Sequence, residues 1–386
     1  MALLSSVNII FLGTASATPS STRNHSALAL RLHGDVWLFD CGEATQHQIQ
    51  KSIVKMGRIQ KVFITHTHGD HIFGLVPLLA SRLNGAGGLV TGQNDSRAKI
   101  DTTQQPLEIY GPLGTRAYVR AGLDYTHTLL EAPYVVHELH MPSDVRSDCA
   151  GLPLHSAESP FGRDISQIDG VWMDIYKDGL VAVSAAPILH SIPCVGYVIT
   201  EAPLPGKMDP KHYISHIKRT KEPMSILGRL QKGESVTLAD GTILHGPKRR
   251  QGRKIAILGD TYNPSPIAHL AHEADLLVHE ATNAHLPGID PSTKDSDTYE
   301  SVEARAKSRG HSTPQMAGAF AKRIGAKKLV LNHFSARYSG AQCDEAKKIM
   351  SSIAELAAGE YDGDIICAED FMTIDIHLEP IEQDSV

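Results

Sequence analysis

Apolar residues along this chain fall into short runs separated by glycine, proline and polar clusters. Val7–Leu12 is apolar save for Asn8 and is closed by Gly13, which predicts a buried strand. A Ser/Thr-rich loop, Thr14–Asn24, follows. Ala27–Leu32 and Val36–Phe39 flank His33-Gly34-Asp35 and read as a hairpin with a glycine-containing turn. Glu43–Met56 has helical character, and Lys61–Thr65 is a β-rich segment that runs straight into a histidine cluster. Ile72–Leu83 is apolar on most faces, and Pro77 inside it marks where a helix starts or restarts. Asn84–Gln105 is loop-like, Leu107–Tyr110 a strand, and Thr115–Ala121 the beginning of a helix.

The second half repeats the alternation. Met141–Gly170 is rich in Pro, Ser, Asp and Gly without a sustained period, as expected of a long surface loop or irregular hairpin. Leu180–Ala186 and Cys194–Thr200 are strands around a His-Ser loop. Lys254–Leu258, Leu276–Val278 and Lys328–Leu331 are short apolar runs, each followed by polar, potentially reactive residues. Gln315–Ile324 and Asp344–Ala358 have the spacing of amphipathic helices, and Ile365–Ile366 and Phe371–Ile376 close the chain. The pattern predicts an α/β (α+β) fold in which two β-rich halves pack sheet on sheet with helices outside. No short-period repeat is present. No apolar run reaches the ~18 residues of a membrane span. Met1–Ile10 lacks a basic n-region and reads as the approach to the first strand, with an organellar leader left open.

Composition changes this picture in two places. The 386 residues include 37 Lys+Arg against 43 Asp+Glu, a formal net charge of −6 with 41% hydrophobic residues. That is a globular balance which, taken whole, speaks against a nucleic-acid binder. Residues 201–254 contradict the average. They hold twelve Lys/Arg and five Asp/Glu, a local +7 that leaves −13 for the rest. Such a basic, Pro/Gly-rich insertion suits a polyanion held away from an acidic body. The second departure is the count of 21 histidines, the commonest metal ligand. The five cysteines are scattered with no Cys-x-x-Cys, which excludes a thiolate zinc site and fits a reducing, intracellular compartment.

The histidines concentrate in Thr65-His66-Thr67-His68-Gly69-Asp70-His71. Residues i and i+2 at a strand end point the same way, so His66 and His68 can clasp one ion. A turn beginning at Gly69 would swing Asp70 and His71 towards a second. Three further ligand-type residues stand where apolar runs end: His190, Asp260 and His333. Ser312 or Thr313 makes a credible helix N-cap ahead of Pro314, and a capped helix N-terminus also attracts phosphate.

His-x-His-x-Asp-His after a strand resembles the metallo-β-lactamase superfamily. The resemblance implies an αββα sandwich with a one- or two-zinc site between its sheets. Further segments resemble one branch, the ribonuclease Z family. Phe39-Asp40-Cys41-Gly42-Glu43-Ala44-Thr45-Gln46 is similar to its DCGEGTQ segment, with Ala44 in place of the usual Gly. Thr22-Arg23-Asn24, His279-Glu280-Ala281-Thr282, His311-Ser312-Thr313 and His333-Phe334-Ser335-Ala336-Arg337-Tyr338 resemble other elements of that family. Leu227–Val236 and Gly246-Pro247 look like pieces of its flexible arm, the exosite that grips the tRNA elbow.

The resemblance implies one nuclease domain over 1–386 with the arm inserted at 201–254. It implies two zinc ions per subunit. His66, His68 and His190 would hold one, Asp70, His71 and His333 the other, and Asp260 would bridge them. Asp70 would orient or deprotonate the nucleophile, and His311, oriented by Glu280, would donate a proton to the leaving oxygen. RNA contacts are expected from Arg23, Ser312, Thr313, Arg229, Lys248, Arg249 and Arg250, with loop fixing by Arg23 and plain capping by Ser312 or Thr313 as alternatives. The implied activity is removal of the 3′ trailer from precursor tRNA by a homodimer, in the cytoplasm or nucleus, without membrane or DNA. The alternative is a small-molecule thioester or lactone hydrolase of the same fold, which would leave residues 201–254 unexplained.

Overall fold

The computed structural model describes residues 6–84, 86–87, 100, 103–145, 149, 151–204, 206, 208–247 and 250–378. Eight strands form one sheet, in the order Asp164–Ser166, Tyr134–His140, Leu107–Pro112, Ile59–Phe63, Asp35–Phe39, Ala27–Leu32, Val7–Gly13, Thr373–Asp375. Seven form another: Trp172–Lys177, Val181–Ile188, Cys194–Glu201, Lys254–Ile257, Leu276–Glu280, Lys328–Asn332, Asp364–Cys367.

The continuous apolar runs follow from this layering. A strand covered on both faces needs apolar side chains at every position. Ile9 and Phe11 join the cluster between the sheets, whereas Ile10 and Leu12 join the one under the helices. Between the sheets Phe63 stacks on Phe39 (4.9 Å) and Tyr110 (5.0 Å), with Tyr197 of the opposing sheet edge-on at 5.3 Å. The helices Thr45–Lys51, Leu75–Arg82 and Thr115–Tyr125 cover the first sheet through Ile49, Leu78, Leu79, Val119 and Leu123. Pro314–Ile324 and Asp344–Ala358 cover the second through Ala317, Phe320, Ile324, Ile349 and Ile353. The result is the α/β sandwich, helix on sheet on sheet on helix.

The hairpin turns on His33 (φ 50°) and Gly34 (φ 95°), the paired positive φ of a two-residue turn, and Leu32 pairs with Asp35. The expected helix 43–56 is shorter. Ala44 is left-handed (φ 60°) and the chain is extended again at Ser52, so the helix spans Thr45–Lys51. The strands Tyr134–His140 and Trp172–Lys177 carry no alternation that marks them. The first buries His137, Glu138 and His140, and the second is interrupted by a register shift between Trp172 and Tyr176. Within 141–170, Asp164–Ser166 pairs in parallel with Glu138–His140. The loop 84–105 lies mostly outside the described residues. Among the described residues no helix is long and apolar enough to cross a membrane.

The insertion is more ordered than its composition suggests. Asp209 caps the helix Pro210–Arg219, its carboxylate accepting from Lys211 N–H at 3.0 Å, with Pro210 at the first helical position. A short helix, Ile226–Gln231, and a hairpin, Ser235–Thr237 with Ile243–His245, complete it. Ile217, Ile226, Leu230, Val236, Leu238 and Leu244 form a core of their own. Two features close its base: reciprocal backbone bonds between Leu204 and Arg250 (3.0 and 2.9 Å), and the buried Arg253–Glu201 ion pair at 2.8 Å.

Candidate active site

The strand ends carry the site. Ile59–Phe63 runs out into Thr65–His71, Val181–Ile188 into His190, Lys254–Ile257 into Asp260, and Lys328–Asn332 into His333. Seven side chains from these four places converge in two adjoining groups. His66, His68 and His190 form one, and Asp70, His71, Asp260 and His333 the other. Asp260 stands between them, with Oδ2 3.7 Å from His66 Nε2 and 3.4 Å from His71 Nε2.

The histidine loop is pinned before it is a ligand. Val195 N–H donates to Thr65 O at 2.9 Å, and Cys41 N–H to His71 O at 2.7 Å. Gly42 lies so close that a Cβ there would sit 2.3 Å from Asp70 O. Asp40 accepts from Thr65 N–H (2.7 Å) on one oxygen and lies 2.6 Å from His71 Nδ1 on the other. It therefore orients His71 so that Nε2 faces the cluster. His190 is oriented in the same way by Gly310 O, 2.8 Å from its Nδ1. Gly310 has φ 86°, and a Cβ on it would come within 2.4 Å of that nitrogen, so only glycine fits.

Protonation suits cation binding in the first group. Burial holds His66, His68 and His190 below the ordinary histidine range, so all three are neutral. His66 Nε2 is 3.1 Å from His68 Nδ1, which is 3.2 Å from His190 Nε2. A single proton on His68 Nδ1 cannot bond both neighbours, so nitrogen lone pairs are left facing one another, with His66 buried and His68 and His190 half-buried. A cation resolves that conflict, and an all N/O donor set is what hydrolytic zinc takes. In the second group burial opposes the charged form of Asp70, but contacts from His333 and His71 prevail and hold its carboxyl well below the usual range. Burial likewise lowers His71, but the Asp260 and Asp40 carboxylates overcome it and leave the ring charged when no ion is present.

His311 and Glu280 lie beside this cluster. His311 Nδ1 is 3.1 Å from Glu280 Oε1. Glu280 is buried and further fixed by Thr261 N–H (2.7 Å) and the Thr282 hydroxyl (2.6 Å). Burial lowers the His311 pKa, but the Glu280 charge and hydrogen bond outweigh it and push it up to about 9. His311 therefore carries a proton at neutral pH, with Nδ1 engaged and Nε2 left for a partner.

The expected RNA contacts fare differently. Arg23 is not on the surface. It is 1% exposed, donates to Tyr338 O (2.8 Å), Thr14 Oγ1 (2.7 Å) and Ala368 O (2.9 Å), and lies 4.7 Å from the Phe334 ring. It fixes loops and cannot reach a phosphate from there. Ser312 and Thr313 are buried as well. Ser312 donates to Thr261 O at 2.6 Å, and Thr313 caps the helix Pro314–Ile324. Their hydroxyls are therefore structural, contrary to direct RNA contact. Arg229 is exposed and paired with Glu234 at 2.9 Å, and Arg250 is half-buried at the base of the insertion. Lys248 and Arg249 lie outside the described residues. Sequence reasoning missed the orienting roles of Asp40, Thr282 and Gly310. A signal for Asp40 was its place directly after the apolar strand Asp35–Phe39.

Comparison with known proteins agrees with the geometry. The family model of the anti-Pycsar protein Apyc1 matches residues 7–84. The zinc phosphodiesterase ELAC protein 1 of Bos taurus is 38% identical over 97% of this chain and 99% of its own. A ribonuclease Z from Cyanothece is 35% identical, covering 98% of each chain. Among solved structures, the short form of human tRNase Z (ELAC1) aligns with TM-score 0.60 at 33% identity, covering 96% of this chain and all of that one. The metallo-β-lactamase fold protein YhfI from Bacillus subtilis aligns with TM-score 0.53 at 15% identity, over 96% of this chain and 98% of its own.

Proposed function

The chain belongs to the ribonuclease Z family of the metallo-β-lactamase fold, and from that premise we propose how its residues serve the reaction. It is a hydrolase, a zinc-dependent tRNA 3′-processing endoribonuclease. The observation that carries the reading is the convergence of seven N/O ligands from both sheets beside a charged His311–Glu280 pair.

His66, His68 and His190 would hold one zinc ion, and Asp70, His71, Asp260 and His333 a second, two per subunit. When bound, zinc supplies Lewis acidity towards the phosphoryl oxygens and lowers the pKa of water towards neutrality. Asp70 orients the attacking water or takes its proton. The oxygen of that water bonds to the scissile phosphorus, and the bond from phosphorus to the 3′ oxygen breaks. His311 gives its Nε2 proton to the departing 3′ oxygen while Glu280 holds the ring and its charge. The products are a tRNA 3′-hydroxyl and a 5′-phosphorylated trailer. The inserted module at 201–254 grips the tRNA away from the cut. Omitting Glu201 and Lys254, which belong to the body's strands, and Arg253, which pairs with Glu201, it still holds ten Lys/Arg against four Asp/Glu. The working unit is a homodimer in which one subunit's module serves the other's site. Five free cysteines suit a reducing compartment, cytoplasm or nucleus. The small-molecule hydrolase reading is not favoured, since it gives the basic module no task.

One experiment tests the whole. The zinc-loaded protein is given a trailer-bearing precursor tRNA and bis-(p-nitrophenyl) phosphate, with bound metal counted and mass in solution measured. A second protein lacks 206–247, with a short Gly/Ser link across the Leu204–Arg250 contact. Cleavage of both substrates by the full chain is expected, and loss of only the tRNA reaction in the shortened one. Activity that survives both a chelator and Asp70→Ala would sink the zinc mechanism.

A further inference from the structure

A cavity of about 250 Å³ lies next to the candidate site and is built from some of the same loops. Its walls come from the segment after Thr282, from the helix Tyr299–Ser308 with the adjoining Arg309, and from Arg337. Four cations line it: Lys294, Arg305, Arg309 and Arg337. Two are matched by carboxylates, Arg305 by Asp297 and Arg337 by Asp290, each at 2.9 Å. Lys294 and Arg309 are exposed, and among the described residues neither forms an ion pair. The cavity therefore carries uncompensated positive charge. Its apolar lining is small (Ala284, Val302, Ala306), and no aromatic ring is present. A base would find nothing to stack on, whereas a sugar–phosphate backbone would find charge and room.

The cavity is rigidly linked to the reacting centre. Arg309 stands two residues before His311, and Gly310 between them holds His190 through its carbonyl. Asn283 follows Thr282, whose hydroxyl is bonded to Glu280, and Arg337 Nη1 donates to Asn283 Oδ1 at 2.9 Å. The two sites thus share a wall.

We propose that this pocket is a phosphodiester subsite that holds the RNA backbone at a phosphate flanking the scissile one. It works by charge, not by base identity, and Lys294 and Arg309 are its working cations. The proposal rests on the ribonuclease reading above.

The test is the double variant Lys294→Ala/Arg309→Ala of the zinc-loaded enzyme. Both side chains are exposed, so the fold should survive the change. With precursor tRNA, kcat/KM should fall about tenfold near physiological salt, mostly through KM. The slope of its logarithm against log salt should become shallower by about 1.4, from two single-strand contacts at about 0.7 each. The pair Lys294→Arg/Arg309→Lys should restore both, and the ratio of tRNA to bis-(p-nitrophenyl) phosphate turnover should track the loss. An unchanged salt slope overturns the subsite. So does an equal loss on both substrates, which would show a distorted catalytic loop. If the unaltered enzyme cuts no precursor tRNA, the fault lies with the ribonuclease reading instead.

Discussion

Glu280 and His311 are joined through Oε1 and Nδ1 at 3.1 Å, and both carboxylate oxygens of Glu280 are also held, by Thr261 and Thr282. A fixed, buried carboxylate on one ring nitrogen keeps His311 protonated and leaves the other nitrogen free, as the proposed donor role requires. His311→Ala should slow precursor-tRNA cleavage about 10²–10⁴-fold. It should cost far less with bis-(p-nitrophenyl) phosphate, whose leaving group departs without a proton. The protonated ring is the active form, so activity should persist upward in pH and fall as His311 loses its proton, near 9. Glu280→Gln removes what raises that pKa and should move the alkaline limb to lower pH. Equal losses on both substrates, or an unmoved limb, would be incompatible with the donor role.

Asp40 touches no expected ion, yet its 2.6 Å contact with His71 sets that ring's orientation. Asp40→Asn keeps the shape and weakens the hold. Zinc retention against a competing chelator should fall about 10–100-fold, with the circular dichroism spectrum unchanged. Retention equal to that of the parent protein would show that Asp40 only braces the loop.

Ala44 occupies the left-handed region at φ 60°, where a Cβ costs about 1–2 kcal/mol. Ala44→Gly relieves this but gives the unfolded chain back about 0.4–1 kcal/mol of entropy. The net gain should be about 0.5–1 kcal/mol, a rise of roughly 1 °C in Tm. A lower Tm would mean that the Ala44 methyl makes packing contacts worth more than the strain.

Arg23 ties the first loop to Tyr338 and Ala368 near the other end of the chain. Arg23→Ala strands those buried carbonyls and should destabilise the fold by about 3 kcal/mol. At temperatures where the variant is folded, the salt dependence of tRNA cleavage should match the parent's. A shallower slope would return Arg23 to the RNA interface.

What could be read in advance follows from how local each feature is. His66, His68, Asp70 and His71 were legible because six residues hold four ligand-type side chains after an apolar strand; the strand end directs His66 and His68, and the turn at Gly69 directs Asp70 and His71. His190, Asp260 and His333 also stand at strand ends, but their meeting needs the sandwich itself. Arg23 shows the limit. Its residue type suggests phosphate, and its burial is decided by partners 315 and 345 positions away. Tyr134–His140 was obscured for the same reason. Its buried Glu138 is matched by Arg116 at 3.2 Å, and its His137 by Arg163 at 3.2 Å. Neither match has a trace in the strand's own pattern. The inserted module misled in the opposite sense, since Asp209 and Pro210 start a helix where the composition suggested slack chain.

The ligands come from both sheets: His66, His68, Asp70 and His71 from one, and His190, Asp260 and His333 from the other. Any ion held there acts as a rivet through the seam of the sandwich. Ion binding favours the folded chain by mass action, so metal occupancy and thermal endurance become one quantity. A cell short of zinc would hold a pool of this enzyme that is idle and also easier to unfold and degrade.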